Sequence, residues 1–387
     1  MILSYGLGVD STAILLRWLL EPDSRDFDLD DLVVIVAQTG DEQRETGRLV
    51  EQYVFPLLRR YGVRVVQVAR AGASDKAGHV VLDDTRQPYV CHLGGAYTLS
   101  AHMLAAGTVP QVGGPRRCSI RFKGWVLDRW VSEYTGGAPY DHAVGFELGE
   151  LGRMAEDREQ LRLAGRRPFY PLIEWGWHRE QAEAYIVEHL GVAWIKSACT
   201  FCPFAMTSAA GRRRTVARYI ANPAEAMLPL MMEHVAVALN PRQGLIGGER
   251  LADLLTADPA ASGLLREFSR SLDEQQWALY EVRRAFRARK GNPMAMANAV
   301  RSLVRLDIGE RAGMVKELRA RARSAGATLA ADGEHHRAWI RRRGTAFPCV
   351  EELLTIAPAV AADKVGPGFD EAWEQGLRGS PQLAICG

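Results

Sequence analysis

Apolar residues in the first half of the chain fall into short continuous runs separated by stretches with helical spacing. The runs Met1–Ser4, Leu32–Gln38, Val63–Ala69 and His142–Phe146 are rich in β-branched side chains and lack the strict alternation of a one-sided strand, which predicts strands buried on both faces. Between and after them, Ser11–Leu20, Glu42–Tyr61, Phe122–Tyr134 and Arg179–Leu190 repeat apolar positions at helical intervals. Strands alternating with helices predict an α/β domain with a parallel sheet and helices on both faces. The segment Ala71–Arg117 is richer in Gly, Pro and Asp and reads as a long loop or insertion able to close over a substrate. After Cys202 the pattern turns helical, over Arg212–Ala221, Pro223–Ala238, Asp273–Lys290, Asn292–Arg305 and Glu310–Arg323. The run Thr256–Ser262 has the composition of a linker. The chain therefore divides into an α/β domain over 1–205, a helical extension over 206–255 and a helical, basic accessory domain over 256–387.

Composition narrows the class. With 387 residues, 47% of them hydrophobic, the chain is long enough for one large core and a second domain. The net charge of +2 hides an asymmetry, because residues 266–343 hold 18 Lys/Arg against 9 Asp/Glu. A polyanion contact such as nucleic acid is therefore expected late in the chain, within 283–343, where Arg283, Arg284, Arg287, Arg289, Lys290 and Arg341–Arg343 cluster. Solvated faces of Arg/Ala-rich helices explain the same run. The first apolar run is interrupted by Arg17, and no basic leader or membrane-length stretch is evident, which points to the cytoplasm. Six cysteines are too few and too unevenly spaced for a secreted disulfide framework, so thiols or metal ligands are expected.

Residues 2–14, ILSYGLGVDSTAI, read as a strand, a Gly-containing turn and a helix opened by Asp10, Ser11 and Thr12. This is an anion site: Gly6 and Gly8 permit positive φ and close backbone approach, and the helix start offers unpaired N–H groups and a favourable dipole. Hydroxyls of Ser4, Ser11 and Thr12 add donors around a pyrophosphate. A Walker loop would need a Lys before Ser11, and a dinucleotide fingerprint would need a third Gly where Ser11 stands.

The segment resembles the PP-loop of ATP pyrophosphatases, the adenine nucleotide alpha hydrolase-like superfamily. It looks most like the variant Ser-aromatic-Gly-x-Gly-x-x-Ser-Thr found in the phosphoadenosine phosphosulfate (PAPS) reductase family. The resemblance implies a HUP-like parallel-sheet domain and assigns Ser4, Gly6, Gly8, Asp10, Ser11 and Thr12 to ATP phosphates and Mg²⁺. A second similarity follows at the end of the next strand, AQTGDEQRET, where Thr39, Gly40, Glu45 and Thr46 match the family's Thr-Gly-x-x-x-x-Glu-Thr. Strand ends of an open α/β sheet face the ligand, so this turn is expected at the same nucleotide.

Cys199-Thr-Phe-Cys202 is a C-x-x-C knuckle suited to Zn²⁺ or one edge of an iron–sulfur cluster, with further ligands needed. Arg117-Cys118 followed by Lys123 resembles the family's partner segment, and the resemblance implies Cys118, Cys199 and Cys202 as ligands of a [4Fe-4S] cluster, with Zn²⁺ as the alternative. The cluster-binding sulfate-reducing members carry a Cys-Cys pair where Arg117-Cys118 stands here. Three thiolates would leave one iron open, unless Cys91, Cys349 or His92 closes the site. GFELGELGR, residues 145–153, is similar to Gly-x-x-x-x-Glu-x-x-Arg and gives Glu150 and Arg153 roles in orienting substrate or phosphate, although Glu147 stands where sulfate-reducing members have Arg. YPLIEWGWHREQAEAYI, residues 170–186, resembles another family segment, and aromatic packing is the role expected for Trp175 and Trp177. Cys386-Gly387 lacks the Glu and Leu-His that flank the nucleophilic cysteine of true PAPS reductases.

The implied activity is cleavage of ATP to AMP and pyrophosphate, with Asp10, Ser11, Lys123 and Arg153 in catalytic roles and adenylation of a substrate for thiolation as its use. A sulfur donor protein would then be a partner. Reduction of PAPS is the near alternative, and a nucleotide-sensing or nucleic-acid-binding module without turnover is the alternative of another class.

Overall fold

A computed structural model describes residues 1–113, 116–159 and 165–379. The chain forms two compact units, Met1–His102 with Gly113–Cys202, and Met103–Val112 with the chain from Pro203. The break thus falls at Cys202, and Met103–Val112, inside the range expected for the first domain, belongs with the second. Among the described residues no helix is long and apolar enough to cross a membrane.

The first unit is built on β1 (Ile2–Ser4), β2 (Val33–Gln38), β3 (Arg64–Arg70), β4 (His79–Thr85), β5 (Tyr140–Ala143) and β6 (Arg166–Phe169), in the order β4-β3-β2-β1-β5-β6. All neighbours are parallel except β3 and β4. Successive residues alternate between two cores. Leu3, Val34 and Val36 pack with Ile14, Leu15 and Trp18 of helix α1 (Val9–Leu20) and with Ile186 of the helix Arg179–Leu190. Ile2, Val33, Ile35 and Val66 pack with Val126, Trp130 and Val131 of the helix Trp125–Thr135. Leu3, Ile14, Leu15 and Leu16 are completely buried, worth roughly 1.5–3 kcal/mol for each side chain. The chain runs outward from β1 to β2 and β3, then returns to β5 on the other side of β1. The switch point therefore lies between β1 and β5, where an open α/β sheet forms its ligand crevice.

Two expectations are corrected. The Ala71–Arg117 segment contains the antiparallel edge strand β4 and a helix, Leu99–Ala105, because His79–Thr85 completes its backbone bonds on β3. More substantially, the region after 256 is not a helical domain. Trp277–Arg289 (β7) and Asn292–Gly309 (β8) form a long antiparallel pair, where helices were expected over Asp273–Lys290 and Asn292–Arg305. With β9 (Thr328–Asp332), β10 (His335–Arg341), β11 (Cys349–Pro358) and β12 (Lys364–Val365) they make a sheet of order β12-β8-β7-β11-β10-β9. Ala, Arg and Met are strong helix formers, but cross-strand pairing and packing on two faces override that preference. Tyr280, Val282 and Leu353 pack with Val235 and Leu239 of the helix Pro223–Leu239 on one side. Ala285 and Val350 pack with Ala372 and Trp373 of the helix Phe369–Gly379 on the other.

Candidate functional site

The loop after β1 forms from a few mutually satisfying contacts. The fully buried Tyr5 hydroxyl lies 3.1 Å from Thr12 Oγ1, which locks the loop onto the second turn of α1 and turns the Thr12 hydroxyl toward Tyr5. Ser11 Oγ accepts from the Gly6 N–H at 3.2 Å and donates to the Gly8 carbonyl at 3.4 Å. The positive φ falls on Leu7, at 60°, while Gly8 is extended at φ −93°, ψ 177°. That corrects the expectation for Gly6 and Gly8. A left-handed non-glycine residue is costly and persists only where its surroundings fix it. Leu7 is held by burial of its side chain and by Trp194 Nε1, which donates to its carbonyl at 3.0 Å.

What the glycines provide is space. A Cβ at Gly6 would meet nothing nearer than Ser11 Oγ at 4.0 Å, and one at Gly8 nothing nearer than Ser197 Cβ at 3.6 Å. The protein itself does not exclude a side chain there, so the room is left open beside the helix. Gly8 caps α1 without a side-chain bond, and its first-turn N–H groups are those that a helix leaves unpaired. Gly145, just beyond β5, lies across this helix start: a Cβ there would come within 3.1 Å of Ser11 N and 3.2 Å of Asp10 Cβ. Any side chain at 145 would cover the Ser11 N–H.

Asp10 sits at the centre of a charged cluster. Its Oδ2 accepts from Arg179 Nη2 at 2.6 Å, while Oδ1 is buried and, among the described residues, has no hydrogen-bond partner. Burial pushes its carboxyl up to about 6, opposed by Arg179 and reinforced by Glu150 and Glu147. Glu147 accepts from the Gly149 N–H at 2.8 Å and faces His178 Nδ1 at 3.4 Å. Arg153 is paired with Glu150 and lies 4.6 Å over the Phe146 ring.

Ser4, at the tip of β1, ends a chain of hydrogen bonds running into β5 and β6. Arg166 Nε donates to His142 Nδ1 at 2.8 Å, so a neutral imidazole carries its proton on Nε2, which lies 2.7 Å from Ser4 Oγ. Burial, with Arg166 adding to it, pushes His142 down to about 3, so the neutral form holds throughout the physiological range. Asp157 completes the chain, accepting from Arg166 and from the Tyr170 hydroxyl, each at 2.7 Å. Ser4 Oγ thereby acts as acceptor from His142, leaving its own proton to be donated elsewhere.

The turn after β2 gathers the second group. Gly40 has φ +85°, and a Cβ there would lie 2.4 Å from Thr98 Cγ2, so only glycine fits. Glu42, 5% exposed, accepts from the Ala198 N–H at 2.5 Å and from Ser197 Oγ at 3.1 Å, and Lys123 Nζ stands 3.9 Å away. These bonds, with Gln43 N to Ala198 O and Thr200 N to Asp41 O, hold the segment 197–200 against the turn and bring Cys199 Sγ to 3.3 Å from Thr39 Oγ1. Glu45, by contrast, is half-exposed and paired with Arg48.

The cysteines are distributed as follows. Burial, together with the charge of Glu42, pushes the Cys199 thiol well above its ordinary range, opposed by Lys123. Cys202 closes a turn onto the Cys199 carbonyl at 2.9 Å. Cys118 lies in the short helix Arg117–Ser119, just before the helical turn that carries Lys123. Among the described residues no group of three or more His, Cys, Asp or Glu side chains is already gathered around one point. Cys91 is buried against Gln38, its thiol pushed up to about 12, and Cys349 belongs to the second unit. Cys386 lies outside the described residues.

The structure thus brings Ser4, Gly6, Gly8, Asp10 and Ser11 together at the switch point, and Thr39, Gly40, Lys123 and Cys199 together at the end of β2. Reasoning from sequence missed Arg179, Gly145, His142 and Glu42. Gly145 had a local signal as the first residue of the matched segment GFELGELGR, and Glu42 as one of three acids after the Thr-Gly turn; Arg179 and His142 had none. Comparison with protein-family models, curated proteins and solved structures finds no match in any of the three.

Proposed function

We propose that this chain is a HUP-like PP-loop enzyme of the PAPS reductase-like kind, which binds ATP and cleaves it between the α- and β-phosphates. The observation that carries this reading is the open start of α1: unpaired N–H groups, glycines with unfilled space beside them, and Gly145 leaving the Ser11 N–H uncovered. Ser4 adds a hydroxyl whose proton is free to point at a phosphate oxygen.

Mg²⁺ fits the donor set at Asp10, whose buried Oδ1 lacks a donor among the described residues and whose carboxyl is pushed up by burial, with Glu150 and Glu147 adding to it. One or two carboxylates plus nucleotide phosphates suffice for this ion. When bound it supplies positive charge to the departing pyrophosphate. The chain's own residues do the rest. The α1 amides and the Ser4 hydroxyl hold the β- and γ-phosphates, and Arg179 is placed to exchange Asp10 for the pyrophosphate as charge develops. An acceptor oxygen attacks the α-phosphorus, the bond to the bridging oxygen breaks, and pyrophosphate leaves.

Adenylation for sulfur transfer is the use we propose for this chemistry, with Lys123, Cys199 and Thr39 at the neighbouring strand end toward the acceptor. An iron–sulfur cluster or Zn²⁺ held by Cys118, Cys199 and Cys202 belongs to the same proposal, and no step is assigned to it. Calorimetry should register ATP binding only with Mg²⁺, and pyrophosphate release with candidate acceptors should be lost in Asp10→Ala and Ser11→Ala. Binding without turnover across a broad acceptor set would favour a nucleotide sensor. Release of ADP and phosphate would overturn the assignment.

A further inference from the structure

The second unit carries a feature that the nucleotide reading does not use. β7 and β8 pair from Trp277↔Gly309 to Arg289↔Asn292, and a tight turn at Lys290–Gly291 joins them, with Gly291 at φ +75°. Near Tyr280 and Val282 the pair is buried between helices. Beyond Phe286 the situation changes. Residues 289–294 and 296–299 are all exposed, with Met294 at 67% and Met296 at 40%. Since neighbours on a strand point to opposite faces, both faces of this ribbon are open to solvent.

Its outer edge is also open. β12 covers Ser302 and Leu303 of β8, and Gly366 N extends this to the Arg301 carbonyl at 2.9 Å; before Arg301, among the described residues, the backbone contact outside the β7 ladder is Phe347 N to the Pro293 carbonyl, at 2.8 Å. Edge strands are ordinarily guarded by charges, yet no charged residue stands between Lys290 and Arg301. An open, uncharged, two-faced edge is a liability unless something occupies it.

Charge identifies the occupant. Residues 282–306 contain seven Lys/Arg and no Asp or Glu, and residues 335–350 contain four Arg and no Asp or Glu. The antiparallel pairing of Cys349 with Phe286 and of Arg341 with Glu352 places the loop after Arg341 at the same end of the sheet as the ribbon turn. Arg287, Arg289 and Lys290 therefore share that end with Arg342 and Arg343. Arg343 lies 4.6 Å from the Phe286 ring and 5.1 Å from that of Phe347, and Arg342 lies 4.9 Å from Trp339, so both guanidinium groups are held in place. Two copies of this edge would set like charges side by side, which argues against self-pairing. Acids do lie on the helix that covers one face of β7, as Asp370, Glu371 and Glu374, so a polyanion would approach the tip and the loop rather than that face.

We propose that the ribbon 286–300 is a DNA-binding arm that enters the major groove of duplex DNA, with Arg289, Lys290, Arg342 and Arg343 on the flanking phosphates. A two-stranded ribbon fits the B-form major groove, about 12 Å wide, whereas the major groove of A-form RNA is too narrow to admit it. Met294 and the small residues Ala295, Ala297 and Ala299 suit contact with base edges. Not every basic residue of the run takes part: Arg284 is buried against Glu351, and Arg287 is engaged with the Gly368 carbonyl. The inference is independent of the nucleotide site and fails or stands without it.

Fluorescence anisotropy with a short B-form duplex, repeated over a salt series, tests the assignment on the full chain. Wild type should bind, and its affinity should fall steeply with salt. Arg289→Ala/Lys290→Ala should weaken binding at least roughly tenfold at moderate salt and reduce the slope of log K against log salt by about 2. Met294→Asp should abolish binding while thermal melting stays unchanged. The equally exposed pair Arg213→Ala/Arg214→Ala, on a helix elsewhere in the unit, should bind as wild type does. The assignment is overturned by absence of duplex binding at low salt, by equal losses in the two double variants, or by equal or tighter binding of duplex RNA or single strands. Dimerisation abolished by Met294→Asp, without DNA binding, would show a second copy to be the occupant.

Discussion

The two sheets of this protein are specified in different ways. In the first unit, strands such as Val33–Gln38 and Arg64–Arg70 carry continuous β-branched runs, because both faces of a parallel sheet are covered. Their identity as strands is local information. In the second unit β7 and β8 are built largely from Ala, Arg, Met and Asn, residues that favour helices or turns. Pairing there is fixed by partners distant in sequence, and one of these is ionic. Glu351 of β11 lies between Arg284 of β7 and Arg242, which donates to both carboxylate oxygens at 2.9 Å. A sheet whose strands lack their own signal depends more heavily on such a contact.

The sharpest way to break this contrast is therefore Glu351→Ala. It strands a buried guanidinium and should cost about 3–5 kcal/mol in urea unfolding of the second unit, whereas Arg284→Met/Glu351→Leu should recover most of the loss. Equal stability of Glu351→Ala and wild type would remove the ionic account of β7–β11 pairing. In the first unit the most exacting position is Gly40, where positive φ and the contact with Thr98 coincide. Gly40→Ala should cost about 2–4 kcal/mol, while Gly62→Ala, at φ +65° with nothing within 4 Å, should cost only about 1 kcal/mol. Matching losses would mean that backbone strain alone, not close packing, governs the turn.

The smallest effect concerns pH. His234 and His335 of the second unit have ring centroids 4.5 Å apart, and burial pushes them down to about 4 and about 2, with the charge of Arg311 adding at His234 and that of His234 at His335. Because the unfolded chain takes these protons near pH 6.5, their contribution is complete above that pH. It is lost as pH falls toward the folded values, at up to about 1.4 kcal/mol per pH unit for each histidine. Asp10 of the first unit has the opposite sign: its folded value of about 6 exceeds the ordinary 3.8, so protonation on acidification relieves it. His335→Gln should flatten the loss of stability between pH 7 and pH 5, measured by urea titration. An unchanged profile would show that the histidine pair does not set the acid limb.

How much could be read beforehand follows the same division. The strand–turn–helix at Ile2–Leu20 was legible because its apolar run, glycines and hydroxyl residues are contiguous. The convergence of Thr39 with Cys199 was only partly legible, since the pairing of residues 41–43 with 197–200 depends on Glu42, which sequence matching passed over in favour of Glu45. Arg179 and His142 act on Asp10 and Ser4 from other strands and helices, and such contacts leave no trace in local spacing. In the second unit the helical reading of Asp273–Arg305 failed because propensity favoured a helix and nothing nearby opposed it. The basic run was visible, but its division into the buried Arg284 and the exposed Arg289 needed the strand geometry.

The central claim concerns which bond of ATP is broken at the start of α1. Phosphorus NMR of Mg-ATP incubated with the full chain and an acceptor mixture reads this directly. The account predicts signals of pyrophosphate and of AMP or an adenylated product, absent with Asp10→Ala. Signals of ADP and orthophosphate, persisting in Asp10→Ala, would contradict it.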